Sequence, residues 1–360
     1  MTGAYINRIG TAVPQNDVHQ TFIGFVDQFL SERKDKLLFR RMVQRSGIEH
    51  RYSTLTPSEN LELAADREGF FQPGQFVGTG TRMERFETHA IDLAEEAIEA
   101  LDLGEGLASF THMVVASCTG FTAPGLDQQI MERLSLNPSL ERTMVGFMGC
   151  AAAVNALKVA HHIVRSEPAA RVLVVNLELC TLHLQETSNL EVILSALLFG
   201  DGCAVSLVSA EPQGIALKDF RVATIPDTRD LITWRIGDAG FEMSLSGEVP
   251  QQIARALQHE ATRNDEGGIL RGQHKEDFDL WAVHAGGRTI LEAVEQGLDL
   301  DPEALRWSRG VLRDFGNMSS ATLMFVLDRM MNEAPPASNG FGMAFGPGLV
   351  AETFRFNLTG

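Results

Sequence analysis

The chain repeats itself faintly, and the repeat restricts its fold more than any other feature. FTHMVVASCTG from Phe110 is echoed by FDLWAVHAGG from Phe278, and FMGCAAAVNALKVAHHI from Phe147 by FGNMSSATLMFVLDRM from Phe315, at the same interval. LFGDGCAVSLV around Phe199 is echoed by AFGPGLVAETF around Phe345 at a smaller interval, which requires a shorter connection in the second half. Three echoes in one order point to duplication. Each half reads as strand–helix–strand–helix followed by a hairpin with an F-G-x-G turn. VVASC, VLVVN and LWAVH are apolar along their whole length, as expected of strands covered by helices on both faces. The predicted architecture is α/β: two duplicated βαβαβ halves, residues 1–210 and 211–360, forming a layered αβαβα sandwich.

Composition narrows the functional classes. At 360 residues, 44% hydrophobic and 21% charged, the chain has ample material for a large interior. A net charge of -17 argues against broad attraction to nucleic acid or an anionic membrane. MTGAYINRIGTAVPQ has no apolar signal-type segment and no apolar run reaches about 18 residues, so a cytoplasmic protein without a membrane span is expected. Cys118, Cys150, Cys180 and Cys203 are scattered without a C-x-x-C pair and read as reduced thiols, with no metal site expected. His161-His162 lacks a third ligand and reads as a helix edge. One basic island stands out in SERKDKLLFRRMVQRSGIEHR, where Arg33, Lys34, Lys36, Arg40, Arg41, Arg45 and Arg51 outnumber Glu32, Asp35 and Glu49. On helical spacing Lys34, Arg41 and Arg45 share a face that suits a compact anion such as a nucleotide phosphate, a merely solvated surface being the commoner reading of such a face taken alone.

Cys150 falls at a strand-to-helix turn, between Gly149 and the alanines of AAAVNALKVAHHIV. Free N–H groups and the positive end of a helix dipole favour a thiolate there, and small neighbours leave the sulfur approachable. An inert buried cysteine is the competing reading. Duplication sharpens the choice, because equivalent turns of two halves face each other. Cys150 and Asn317 each follow an equivalent strand, and His284 ends the strand equivalent to the one ending near Ser117 and Cys118. A thiol, an imidazole and a carboxamide therefore converge on one centre, although a core histidine and a helix-capping asparagine remain possible for each taken singly.

MGCAAA, RVLVVNLEL, LFGDGCAVSLV, WAVHAGGRTIL, GNMSSATLMFVL and FGPG, in this order, resemble a type III polyketide synthase, the chalcone-synthase-like branch of the thiolase superfamily. The resemblance runs from about residue 5 to residue 357. It implies a thiolase-like fold, a Cys150–His284–Asn317 triad and a homodimer. It further implies a coenzyme A tunnel near the basic helix, acyl-CoA and malonyl-CoA as substrates, and no cofactor beyond those thioesters. Arg41 and Arg45 match two coenzyme A positions, with Leu38 at a third. Phe199 matches one gatekeeper; Met243 or Phe241 occupies the other. Cys118, Thr119 and Ser319 complete the substrate pocket. His183 and Trp234 replace small residues, and Ala123 stands where a bulky residue reaches into the partner subunit. A methionine gate and a small residue opposite suit an aliphatic starter, while Trp234 excludes a large cyclised product.

The implied reaction loads an acyl group on Cys150, with His284 lowering the thiol's pKa through an ion pair. Decarboxylation of malonyl-CoA then creates an enolate that His284 and Asn317 stabilise. Iterated extension ends in a pyrone or a resorcinol- or phloroglucinol-type ring. Cys118 is the competing nucleophile, better read as packing. Two rival functions are a ketoacyl-ACP synthase III, against which VHAGG replaces P-H-Q-A-N, and a non-catalytic acyl-CoA-binding scaffold, which has no use for three reactive residues.

Overall fold

A computed structural model describes residues 2–263, 265–336 and 338–359. In chain order the strands are β1 (Ala4–Ala12), β2 (Asn16–Asp17), β3 (Tyr52–Ser53), β4 (His112–Ser117), β5 (Glu141–Gly146), β6 (Val172–Leu179), β7 (Asp201–Ser209), β8 (Gly214–Thr224), β9 (Ile232–Gly237), β10 (Gly240–Leu245), β11 (Leu280–Val283), β12 (Asn339–Gly346) and β13 (Val350–Thr359). The helices are α1 (His19–Asp27), α2 (Arg33–Arg45), α3 (Thr79–Glu99), α4 (Leu126–Arg133), α5 (Ala152–Ser166), α6 (Leu190–Ala196), α7 (Val249–Ala261), α8 (Arg288–Leu298), α9 (Arg306–Phe315) and α10 (Ser320–Glu333). None is long and apolar enough to cross a membrane among the described residues.

The apolar strands are explained by where their two faces go. Along β6, Val172 and Val174 join a core built on α5 and α10, while Leu173, Val175, Leu177 and Leu179 join a second core with Phe86, Leu93 and Ile98 of α3. A third core sets Ile253 and Leu257 of α7 and Leu291 and Val294 of α8 against Trp281, Val283, Phe341 and Met343. Helices thus lie outside each half-sheet, and α5 and α10 fill the layer between: the αβαβα sandwich of the thiolase-like fold. The half-sheets are joined into one nine-stranded sheet, ordered β11-β12-β13-β8-β1-β7-β6-β4-β5. The seam is the antiparallel pairing of Ala4–Ile6 with Ile215–Leu217.

Duplication is incomplete in the second half. Asn317 does not follow a strand; α9 precedes it, and the strand that sequence equivalence calls for survives only as a parallel bridge between Phe199 and Asn317. The cause lies in RWSRGVLRDF, where buried Trp307, Val311 and Leu312 recur at helical spacing while Arg309 and Arg313 pair with carboxylates on the outside. The F-G-x-G echoes also differ. AFGPGLV makes the tight β12–β13 hairpin, whereas residues 180–200 separate β6 from β7, and Asp201-Gly202 already lie in β7.

Candidate active site

The chain leaves β5, turns at Phe147 (φ 55) and Gly149 (φ 57), and passes Cys150 through a 3-10 turn into α5. A Cβ on Gly149 would lie 2.6 Å from the ring of Pro347, so the FGPG turn of the other half presses directly on the nucleophile loop. From below, Cys118 Sγ accepts the N–H of Gly149 at 3.0 Å; it is 2% exposed, and burial pushes its thiol well above the usual range. Cys150 itself is half-buried, with free thiols at all four cysteine positions.

His284 extends from β11 and is 2% exposed, with neither ring nitrogen hydrogen-bonded among the described residues. Asn317 is held at both ends of its amide. Its Oδ1 accepts Ser319 N–H at 2.9 Å and Thr322 Oγ1 at 3.4 Å, which leaves Nδ2 directed to Gly286 O at 3.2 Å and to Cys150 Sγ at 3.9 Å. Ser319 pays for this with φ 47, a left-handed value that strains a side-chain-bearing residue. Beneath the site, the buried Glu178 accepts from Ser320 Oγ at 2.6 Å, Thr119 Oγ1 at 2.8 Å and Cys118 N–H at 2.9 Å, and burial raises its pKa despite those bonds.

Neither nitrogen of the His284 ring is hydrogen-bonded to the Cys150 sulfur among the described residues. Burial pushes the Cys150 thiol up to about 11, Asn317 and Ser319 pulling it back in part and Glu178 pushing it further; burial drives the His284 imidazole down to about 3. Each charge taken alone loses its hydration, and no hydrogen bond joins the two groups to offset that loss.

Cys150, His284, Asn317, Phe199, Met243, Cys118, Thr119, His183, Trp234 and Ser319 line one cavity enclosing about 1550 Å³ of empty space, mouth included. Met243 rather than Phe241 occupies the cavity wall: Met243 pairs with Trp234 across the β9–β10 hairpin, while Phe241 is 2% exposed and stacks on His183 at 4.3 Å. The wall is rigid. Trp234 Nε1 donates to Cys118 O at 2.7 Å; His183 Nδ1 accepts Phe241 N–H at 2.9 Å, leaving Nε2–H to donate to Thr119 O at 2.7 Å. Ala123, Arg41 and Arg45 are not among the lining residues. Arg41 and Arg45 are exposed on α2 and carry no ion pair among the described residues, and Arg288 Nη1 donates to Arg45 O at 3.4 Å.

Two buried cations escaped sequence reasoning. Arg82, 0% exposed, donates from Nη1 to Leu182 O at 2.6 Å and Leu184 O at 2.9 Å, fixing the turn that carries His183. Arg51, expected within the basic helix, lies beyond its end and is 1% exposed. Neither has a sequence signal, since an arginine among charged residues reads as surface. The cavity is also lined by the apolar Phe22, Leu55, Phe71, Val192 and Ile193, from loops and short helices whose packing no periodicity announces.

With this fold and this cavity the chain belongs to the chalcone and stilbene synthase family: residues 2–212 match the family's N-terminal domain and residues 217–358 its C-terminal domain. It is a type III polyketide synthase, an acyltransferase catalysing decarboxylative condensation. It is 33% identical to the "Alpha-pyrone synthesis polyketide synthase-like Pks18" of Mycobacterium tuberculosis, over 99% of this chain and 92% of that protein. Its structure is similar to that of PKS-I from the brown alga Ectocarpus siliculosus, with a TM-score of 0.87, 28% identity and 99% of each chain covered. The fold is shared with the C-terminal type III polyketide synthase domain of Steely1 from Dictyostelium, at a TM-score of 0.87 and 23% identity, over 99% of this chain and 100% of that one.

Proposed function

We propose that the enzyme loads an aliphatic acyl-CoA starter on Cys150, extends it with malonyl-CoA and releases a pyrone- or resorcinol/phloroglucinol-type product. The observation that carries this reading is the shared cavity, in which Asn317 Nδ2 lies 3.9 Å from Cys150 Sγ while the buried His284 ring has no hydrogen-bond partner among the described residues to compete with substrate. As the sulfur attacks the starter thioester, His284 takes its proton and passes it to the departing coenzyme A thiolate. The imidazole, again neutral, then donates its N–H together with Asn317 Nδ2 to the malonyl thioester oxygen. Loss of carbon dioxide places the electron pair on the α-carbon as an enolate held by those two donors. That carbon attacks the acyl-Cys150 carbonyl, the carbon–sulfur bond breaks, the lengthened chain leaves on coenzyme A, and the Cys150 thiolate takes a proton from solvent to return to the thiol. A carboxylate is not needed to remove a proton, because decarboxylation supplies the carbanion. In this reading residues 1–210 bring the nucleophile and 211–360 the two donors.

Starter choice follows from shape. The apolar lining of Phe22, Leu55, Phe71, Val192 and Ile193 suits an aliphatic chain, and Trp234, braced by Cys118 O and His183, removes space that a large ring system needs. A relative named for alpha-pyrone synthesis supports the product class. Arg41 and Arg45 are assigned to the coenzyme A phosphates. A second copy of the chain covers the edge strand β5, beside which Phe121, Met144 and Met148 are 36%, 41% and 38% exposed, and sedimentation at twice the chain mass checks this. Incubation with malonyl-CoA and a panel of acyl-CoA starters, with products identified by mass, tests the function. Extended aliphatic products are expected; a marked preference for 4-coumaroyl-CoA overturns the starter assignment, and dependence on an acyl carrier protein overturns the class of substrate.

A further inference from the structure

Arg51 borders the same cavity as Cys150 and Asn317 and has no part in the steps above. It is 1% exposed, and burial pulls its pKa down to about 9, so it is a cation at neutral pH inside a mostly apolar setting. Removing a guanidinium from water without a carboxylate in contact is costly, and only specific hydrogen bonds offset it. Those bonds converge on one turn. Nη1 donates to Ala196 O at 3.2 Å, which also accepts Phe199 N–H at 3.4 Å, and to Phe199 O at 2.8 Å, carbonyls at and beyond the end of α6. Nε donates to His19 Nδ1 at 2.9 Å, and the guanidinium lies 4.5 Å from the Phe22 ring centroid.

The turn that Arg51 holds is the one that carries both Phe199 and the support of Asn317. Asn317 N–H donates to Leu198 O at 2.8 Å, and Gly200 N–H donates to Asn317 O at 3.0 Å, closing the Phe199–Asn317 bridge. Packing reinforces the bonds. A Cβ on Gly316 (φ 70) would lie 2.8 Å from both Arg51 Cγ and Leu198 O, so the arginine stem rests against the backbone that presents Asn317. Phe199 and Asn317 come from opposite halves of the duplication, and Arg51 is wedged where they join.

We propose that Arg51 is a positioning residue that locks the gate side chain Phe199 and the carboxamide of Asn317 into one unit, setting where the malonyl thioester is polarised. This rests on the proposed role of Asn317 in decarboxylation. Cys150 is held separately, through Gly149, Cys118 and Pro347, so loss of Arg51 uncouples the two half-reactions: decarboxylation suffers and acyl loading does not.

The test compares Arg51→Lys, Arg51→Ala and His19→Ala with the native enzyme, each held below its own melting transition. Carbon dioxide release from malonyl-CoA is measured beside single-turnover acylation of Cys150 followed by intact mass. A displacement approaching 1 Å at a reacting group costs ~100-fold, so Arg51→Ala is expected to lose about tenfold or more in carbon dioxide release while acylation changes less than about twofold. Added guanidinium at sub-denaturing concentration restores part of the release in Arg51→Ala, and His19→Ala, which removes only the Nε acceptor, falls between native and Arg51→Ala. A purely structural arginine lowers both steps by one factor, in step with the melting temperature, and that result overturns the proposal. Should Arg51→Ala not fold, an unchanged ratio of release to loading in both Arg51→Lys and His19→Ala overturns it equally. A native enzyme that neither loads an acyl group nor releases carbon dioxide defeats the proposed function instead.

Discussion

Replacing Asn317 by aspartate is the sharpest way to ask whether its amide stabilises a developing oxyanion. The substitution keeps size and keeps one oxygen to accept from Ser319 N–H and Thr322 Oγ1, now at 2.9 and 3.4 Å from Oδ1. It exchanges the Nδ2 donor, 3.9 Å from Cys150 Sγ, for an acceptor that carries charge. Losing one oxyanion donor typically costs about 3–4 kcal/mol, or roughly 10²- to 10³-fold, and Asn317→Ala is expected to lose that much in carbon dioxide release. Aspartate adds repulsion. Two like charges about 4 Å apart at an effective dielectric near 20 interact by ~4 kcal/mol, part of which the buried acid escapes by binding a proton. Asn317→Asp should therefore release carbon dioxide more slowly than Asn317→Ala at pH 8, and recover toward it as the pH is lowered and the acid is neutralised. Acyl loading on Cys150 separates the steps. It should drop less than decarboxylation in Asn317→Ala, and further in Asn317→Asp, where the carboxylate also opposes a thiolate. Decarboxylation by Asn317→Asp at or above the rate of Asn317→Ala at pH 8 would refute the oxyanion role.

Other consequences are open to simpler measurements. Cys150→Ala should abolish acyl-enzyme formation yet retain slow carbon dioxide release from malonyl-CoA, since both proposed donors survive; complete loss in a folded variant contradicts the division of roles. Trp234→Gly removes the side chain braced on Cys118 O and should lengthen or enlarge the products seen by mass spectrometry, whereas an unchanged product set places the volume limit elsewhere. Acid should unfold the protein partly through its buried histidines: His183 and His284 are driven down to about 3 from an ordinary 6.5, so the unfolded chain binds more protons below that value. Each histidine contributes stability present above pH 6.5 and lost at roughly 1.4 kcal/mol per pH unit as pH falls toward 3, partly offset by Asp201, whose buried carboxyl is raised to about 6. Urea unfolding midpoints between pH 4 and 7 check this, and His183→Gln should flatten the dependence.

Much of the sheet was legible because its chemistry is local. A strand covered on both faces must be apolar nearly throughout, and VVASC, VLVVN and LWAVH are, apart from Ser117, Asn176 and His284 at or next to their ends. The Cys150 turn was legible for a similar reason: a glycine with φ 57 and a run of alanines are what a tight strand-to-helix passage demands. Legibility failed where side chains from distant segments decide the outcome. Equivalence with the segment before Cys150 calls for a strand before Asn317, although Trp307, Val311 and Leu312 already carry a helical period. Arg51 and Arg82 look like surface charges until their carbonyl partners Ala196, Phe199 and Leu182, at sequence separations of 145, 148 and 100, are in place. The uncertainty between Met243 and Phe241 could not be resolved by spacing, because both side chains fall on one face of β10; only the ring of His183 covers the second and leaves the first at the cavity.

The central claim is that one sulfur, Cys150, carries the growing chain. Intact-protein mass spectrometry after brief mixing with a fatty acyl-CoA, followed by peptide mapping, measures this directly. A single acyl adduct on the peptide containing Cys150, discharged when malonyl-CoA is added, is the predicted result; an adduct on Cys118, Cys180 or Cys203, or one that malonyl-CoA leaves in place, would contradict it.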